Sequence, residues 1–327
     1  MTVTYFNRDS RPGNYTFEQL FGAIRGALAD KITIINHDLP AETNIIKSIR
    51  WAKTRAGSIN HLTGDVNYLA FGLPPERTIL TVHDLGHYTR TLAGWKKWAY
   101  RKIWLDGPFK RVGCLTAISE FTKRQMVEVL GVPENKITVI SDPLLPGFHY
   151  SPKPFNEKQP LILQIGSGHN KNLGRLIEAV QGLDVKLLLV NRLNDPELKT
   201  RLLDSGVEFE QRAGLDFEGL MQAYRDCDLL FFASEYEGFG MPILEAQATG
   251  RPVITSNSCS MPEVAGKGAV LVDSSDIGQI RSAIETIAAD ARKREELIQF
   301  GLQNIRRFQL DAIAQQYLEL YRKIGSS

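Results

Sequence analysis

The chain has 327 residues, of which 43% are apolar, 23% charged and 9% aromatic, a globular composition that excludes disordered, collagenous and fibrous classes. No apolar run approaches the roughly 18 residues that cross a bilayer, and residues 1–9 carry no basic stretch leading into an apolar core, so neither a spanning helix nor a secretory leader is expected. A net charge of +2 is too small for a dedicated nucleic-acid surface. Cys114, Cys227 and Cys259 are odd in number, widely spaced and form no C-x-x-C, which points away from disulfides and zinc and toward a reducing, cytoplasmic setting.

The small net charge conceals an asymmetry. Residues 1–150 hold 19 Lys and Arg against 13 Asp and Glu, whereas residues 151–327 hold 20 against 24, so the halves carry +6 and −4. Five of the six histidines lie in the first half. Two halves with such different surfaces are expected to meet different partners.

In chain order, short apolar and β-branched runs at 3–6, 32–35, 78–82, 114–118 and 137–140 predict strands, with helical spacing at 17–29 and 120–130 between them. Residues 142–160 then gather five of the fifteen prolines, which neither a helix nor a central strand tolerates, and a domain boundary is placed near 150. The alternation resumes with strands at 161–165, 185–190, 229–232, 252–255 and 269–272, and helices at 173–181, 215–223 and 277–289. Leu310, Ile313, Tyr317, Leu320, Tyr321 and Ile324 recur at helical spacing and predict an amphipathic helix over 308–327, expected to pack back on the first domain. Buried strands alternating with crossover helices indicate parallel sheets. The expected fold is therefore α/β, with two Rossmann-like domains over 1–150 and 151–307 facing each other across a cleft, and ligands at the carboxyl ends of the strands.

The densest chemistry lies in residues 234–250, SEYEGFGMPILEAQATG, directly after a predicted strand. Gly238 and Gly240 allow a tight loop, Pro242 suits a first helical turn and Gly250 a helix end. With Phe239 and Met241 between and beside the glycines, this is a loop feeding a helix N-terminus, where free amides and the dipole favour an anion such as a diphosphate. Glu237 before the loop and Glu245 in the helix can accept hydrogen bonds from sugar and ribose hydroxyls. A second strand–glycine–helix unit, LILQIGSGHNKNLGRLIEAV at 161–180, carries Gly166, Ser167 and Asn172, with Lys171 as a point charge for a phosphate. Its G-x-G-x-x-K also resembles a degenerate dinucleotide fingerprint, but the following strand ends in Asn191 and Arg192 where a dinucleotide reader would place an acid. In the first half, His83 and Asp84 follow a strand in TVHDLGHY, His87 lies just beyond, and Gly13 sits in a strand–helix loop, RPGNY. Asp226-Cys227-Asp228 spells D-x-D at a helix-to-strand junction, where it reads as a solvated turn, and no metal or other cofactor is expected.

Residues 234–273, SEYEGFGMPILEAQATGRPVITSNSCSMPEVAGKGAVLVD, resemble the donor-binding segment of family 4 glycosyltransferases, retaining enzymes of the GT-B fold with an E-x7-E motif matched by Glu237 and Glu245. Gly166, Lys171 and Asn172 match the family's phosphate loop, while Ser167 stands where the family carries arginine. The resemblance implies a nucleotide diphosphate sugar donor, UDP- or GDP-linked, with Glu245 on the ribose, Lys171 and the Gly238 and Gly240 amides on the diphosphate, and Glu237 and His83 at the transferred sugar. Gly13 would lie beside the phosphates. It implies transfer with retention to a carbohydrate or lipid-linked acceptor in surface polysaccharide or glycolipid synthesis. The alternatives are a nucleotide-sugar 2-epimerase of the same architecture and an NAD(P)-dependent dehydrogenase. Within 95–111, Trp95, Trp98 and Trp104 are interleaved with Lys96, Lys97, Arg101 and Lys102 and followed by Lys110 and Arg111, a composition suited to the anionic inner face of a membrane.

Overall fold

The computed structural model describes residues 1–8, 16–41 and 43–326. Two compact units are present, one of residues 1–145 with 308–327 and one of residues 146–307. The chain thus leaves the first unit five residues before the boundary predicted at 150, and returns to it for its last helix.

The first unit is built on six parallel strands: β1 (Thr2–Asn7), β2 (Thr33–Asp38), β3 (Ile59–Leu62), β4 (Thr78–Val82), β5 (Cys114–Ala117) and β6 (Ile137–Val139), in the order β2-β1-β3-β4-β5-β6. The second has β7 (Leu161–Ile165), β8 (Lys186–Val190), β9 (Glu208–Arg212), β10 (Leu229–Phe232), β11 (Val253–Ser256) and β12 (Val270–Val272), ordered β12-β11-β10-β7-β8-β9 and also all parallel. Each sheet with its crossover helices forms a Rossmann-like unit, as the alternation of strands and helices predicts. In the second sheet β7 pairs with both β8 and β10, so the direction of winding reverses between β7 and β10. Loops leaving those two strands therefore flank the point where such sheets take ligands.

Two strands have no counterpart among the predicted runs. β3 reads INHL, and its Asn60 and His61 mask it as polar. Both are nonetheless fully buried, because Asn60 Oδ1 accepts from Gly57 N–H at 2.8 Å and His61 bonds Tyr321 and Thr81 through its two ring nitrogens. β9 reads EFEQR and lies at a sheet edge, where only one neighbour and half-buried side chains are required.

The last helix, Leu310–Gly325, buries Ile313, Ala314, Tyr317, Leu318, Leu320 and Tyr321 in one cluster with Val3, Tyr5, Phe21, Ile24 and Ile59 of the first unit. Tyr321 OH lies 2.8 Å from both Tyr5 OH and His61 Nδ1, so a polar chain crosses this apolar layer without leaving its members unpaired. Among the described residues no helix is long and apolar enough to cross a membrane.

Candidate active site

The loop after β10 is held from both sides. Gly240 has φ +117, and a Cβ there would lie 3.1 Å from Ile243 Cδ1, so glycine is required by conformation as well as by space. Helix Met241–Thr249 follows with Pro242 in its first turn and ends at Gly250, φ +79. Ser260 Oγ sits 2.9 Å from the Glu237 carbonyl and 2.7 Å from the Phe239 carbonyl, pinning the loop from the segment after β11. In the first turn Pro242 has no N–H and Ile243 N–H donates to the Gly240 carbonyl at 3.0 Å, so Gly240 and Met241 carry the N–H groups that the helix itself does not engage, at the end where the dipole favours an anion.

The loop after β7 meets it. Gly166 has φ +84, and a Cβ there would crowd the Lys171 side chain at 3.1 Å, so the glycine makes room for the lysine. Lys171 Nζ lies 2.5 Å from Glu237 Oε1 and 4.9 Å from the centre of the Phe232 ring. Asn170 Nδ2 donates to the Tyr236 carbonyl at 3.2 Å, and Glu235 N–H donates to the Asn170 carbonyl at 2.8 Å. The two glycine loops are thus stitched together, with one cation and one carboxylate at the seam, their side chains 25% and 17% exposed.

Asn172 and Ser167 take up positioning work. Asn172 is buried in the left-handed region, φ +61, and its amide donates to the Ala233 and Ser274 carbonyls at 3.0 and 2.7 Å. Its side chain ties the start of helix Leu173–Val180 to the end of β10. Ser167 Oγ donates to the Arg192 carbonyl at 2.6 Å, joining the ends of β7 and β8 and bringing Arg192 beside the glycine loop.

Glu245 stands apart from Glu237 in character. It is only 7% exposed, and its Oε2 accepts a 2.5 Å hydrogen bond from Tyr224 of helix Phe217–Asp226. Burial pushes its carboxyl up to about 7, against the opposing effect of the Tyr224 bond. Tyr224 has no motif around it in the sequence, while Asn170 and Ser260 lie inside segments that do stand out but owe their particular roles to contacts between distant parts of the chain.

In the first unit His83 follows β4 directly and is 8% exposed. Its Nε2 lies 2.7 Å from the Thr63 carbonyl, so that nitrogen carries the proton and Nδ1 the lone pair. Burial lowers the imidazole to about 4, which keeps it neutral. Gly13 lies outside the described residues. Asp84 accepts from Gly86 N–H at 2.6 Å, and both Asp84 and His87 are exposed.

The segment 95–111 divides where its composition is uniform. Trp95 and Trp98 are 75% and 65% exposed. Trp104 packs inward, stacked on Tyr100 at 5.5 Å and edge-on to Tyr68 at 5.0 Å. Arg101 and Lys102 pair with Asp106, and Arg111 donates to the Ala70 and Leu73 carbonyls, so three of the cations expected at a surface are already engaged. In the D-x-D, Asp226 pairs with Arg212, while buried Asp228 pairs with Lys153 and accepts from Leu161 N–H: both carboxylates brace the sheet.

Comparison with known proteins decides what this geometry belongs to. Residues 149–303 match the model of glycosyl transferases group 1, and residues 58–143 that of glycosyltransferase family 4, so the two models between them take in most of the chain. The chain belongs to the family 4 glycosyltransferases. It is 25% identical over 270 residues to the O-antigen chain mannosyltransferase B of Escherichia coli, covering 76% of this chain and 70% of that one. It is 26% identical over 227 residues to a phosphatidyl-myo-inositol mannosyltransferase of Mycobacterium leprae, covering 64% and 59%. Among solved structures, the Anabaena protein HepE, determined with UDP and glucose, superposes with a TM-score of 0.76 at 16% identity over 98% of this chain and 99% of that one, which establishes the GT-B fold. The protein is therefore a glycosyltransferase, and the epimerase and dehydrogenase alternatives find no support in these likenesses.

Proposed function

We propose that this glycosyltransferase moves a hexose from a UDP- or GDP-linked donor to an acceptor hydroxyl with retention of configuration, in the synthesis of surface polysaccharide or glycolipid. The observation that carries the reading is the Lys171–Glu237 pair, 2.5 Å apart, set where two glycine loops meet beside a helix N-terminus. That seam offers a cation and amides to a diphosphate and a carboxylate to the hydroxyls of the attached sugar. Glu245, anchored by Tyr224, would take the ribose, and neutral His83 would lie at the transferred sugar. Ser167 and Asn172 would act by holding the loop, since their side chains bond backbone carbonyls.

In the proposed reaction the bond from the anomeric carbon to the diphosphate breaks, and the acceptor oxygen attacks on the face from which it leaves. The departing phosphate takes the acceptor proton. Rate then comes from positioning and from stabilising charge on the leaving diphosphate, with no metal required. The mannosyltransferase relatives favour mannose and a cell-envelope acceptor. A cytoplasmic enzyme resting on the inner membrane face through exposed Trp95 and Trp98 fits such an acceptor.

The test is calorimetric titration with UDP, GDP, ADP and TDP, then the matching sugars, followed by NMR of the product's anomeric configuration. One nucleoside diphosphate should bind well ahead of the rest, and the product should keep the donor's configuration. Absence of binding by all four, or an inverted product, overturns the reading.

A further inference from the structure

Strand β7 reads LILQI, and Gln164 is its one polar side chain. By strand alternation it shares a face with Ile162, which packs into the core of the second unit, and Gln164 is itself only 1% exposed. An apolar residue would fill that place with no polar atom to satisfy. Instead the Gln164 amide reaches forward into the glycine loop: Nε2 donates to the Lys171 carbonyl at 2.8 Å and lies 3.5 Å from the Gly166 carbonyl. We propose that Gln164 is a positioning residue for the donor diphosphate, fixing the backbone of Lys171 so that its ammonium stands where the two glycine loops meet, a proposal that rests on the donor reading above.

The orientation of the amide follows from its neighbours. Turned the other way, it would set an oxygen against two carbonyl oxygens. Held as it is, Oε1 is buried with no hydrogen-bond partner among the described residues. An unpaired buried acceptor is unfavourable, so packing does not account for glutamine at this position. The return for leaving Oε1 unpaired is the grip of Nε2 on the loop.

The loop needs that grip at Lys171 in particular. His169–Lys171 form one short 3₁₀ turn, in which Lys171 N–H donates to the Gly168 carbonyl at 2.8 Å. Helix Leu173–Val180 takes up its hydrogen-bond ladder at the Asn172 carbonyl, which accepts from Leu176 N–H at 3.2 Å. The Lys171 carbonyl lies one residue before that ladder, so the strand holds it, through Gln164, where the helix does not. Along its stem the lysine runs past Gly166, where a Cβ would come within 3.1 Å of the Lys171 Cγ. Backbone and stem are thus set from the same strand end. A turn of the Lys171 backbone would carry Nζ off the Glu237 carboxylate, 2.5 Å away. Lysine is a point charge on a flexible stem, so its place depends on such supports.

Calorimetric titration of the full chain with UDP and GDP, beside uridine and guanosine, tests the proposal on Gln164→Met, which keeps the length of the side chain and removes both polar atoms. The diphosphate that the wild type binds should bind about tenfold more weakly to the variant, and its nucleoside within about twofold of the wild type. On a Lys171→Ala background the same substitution should cost no more than about a further twofold, because both residues act through one charge. Gln164→Glu has the same shape and donates only while its carboxyl is protonated, so its loss of diphosphate affinity relative to the wild type should grow as pH rises from about 6 to about 9. Undiminished diphosphate binding by Gln164→Met, equal weakening of diphosphate and nucleoside, losses that add to those of Lys171→Ala, or a Gln164→Glu deficit that ignores pH overturns the proposal. A crystal structure of Gln164→Met tells its failure from that of the donor reading. If the wild type binds diphosphate and Lys171 Nζ remains on Glu237 in the variant, positioning by Gln164 fails alone. If the wild type binds no nucleoside diphosphate, the donor reading fails, and positioning stands when Lys171 Nζ has left Glu237 and falls when it has not.

Discussion

Lys171 and Glu237 neutralise each other across 2.5 Å, so a diphosphate that takes the lysine has to separate the pair. Replacing Glu237 by Gln removes that competition. Nucleoside diphosphate affinity should stay level or rise, while transfer falls at least about tenfold, the equivalent of about 1.4 kcal/mol for one lost sugar contact. Lys171→Ala should instead weaken nucleoside diphosphate more than nucleoside, because the charge acts on phosphate alone. Calorimetry with UDP or GDP and the matching nucleoside, beside initial rates, separates the two variants; equal loss of nucleotide in both would make the pair a structural clasp. Glu237, Lys171, Gly240 and Gly166 were legible because each lies in a short strand–loop–helix pattern whose chemistry is local. Tyr224 was not, since it reaches Glu245 from a helix whose spacing records only its packing.

At the scale of elements, the amphipathic pattern of the last helix located its buried face but not the polar chain that fastens it. Tyr321→Phe keeps the packing and removes one hydroxyl, leaving Tyr5 OH and His61 Nδ1 without their shared partner in a buried layer. The expected cost is about 1–3 kcal/mol, a fall of several degrees in the melting temperature of the first unit, with nucleotide binding by the second unchanged. An unaltered melt would mean that water replaces the hydroxyl. Helix Gly94–Tyr100 and the turn after it show the opposite limit of sequence reading. Composition grouped three tryptophans; folding turned Trp104 inward and left Trp95 and Trp98 outside. Sedimentation with anionic vesicles should therefore be abolished by Trp95→Ser with Trp98→Ser and weakened by salt, whereas Trp104→Phe should leave vesicle binding intact and lower stability. Charge reversal at Lys96, which is exposed, should weaken binding more than reversal at Arg101, which Asp106 already partners. Binding that persists without both exposed tryptophans would remove the interfacial role.

Across the whole molecule, the fold class followed from the alternation of strands and helices, because crossover geometry leaves few topologies for such a pattern. How each unit responds to pH is set by contacts the alternation does not reveal. In the first unit, burial pushes His61 down to about 3 and His83 down to about 4, while Asp142 is pushed up to about 7. Between about pH 6.5 and about pH 5 the unfolded chain gains protons on both histidines that the fold refuses, and the fold holds one on Asp142 that the unfolded chain lacks. The balance favours the unfolded state by nearly one proton, so acidification destabilises this unit. In the second unit Glu245, held at about 7 against an ordinary 4.5, has the reverse sign: the fold takes up a proton across that window before the unfolded chain does. Acidification stabilises this unit, by about 2 kcal/mol over the window at most. Each unit has its own core, so scanning calorimetry should show two transitions that move in opposite directions, by a few degrees each, as pH falls. Glu245→Gln should hold the second transition still and leave the first moving. Two transitions that shift together in the wild type, or a Glu245→Gln protein whose second transition still climbs on acidification, would show that the buried carboxyl at the head of the donor helix does not govern the stability of its unit.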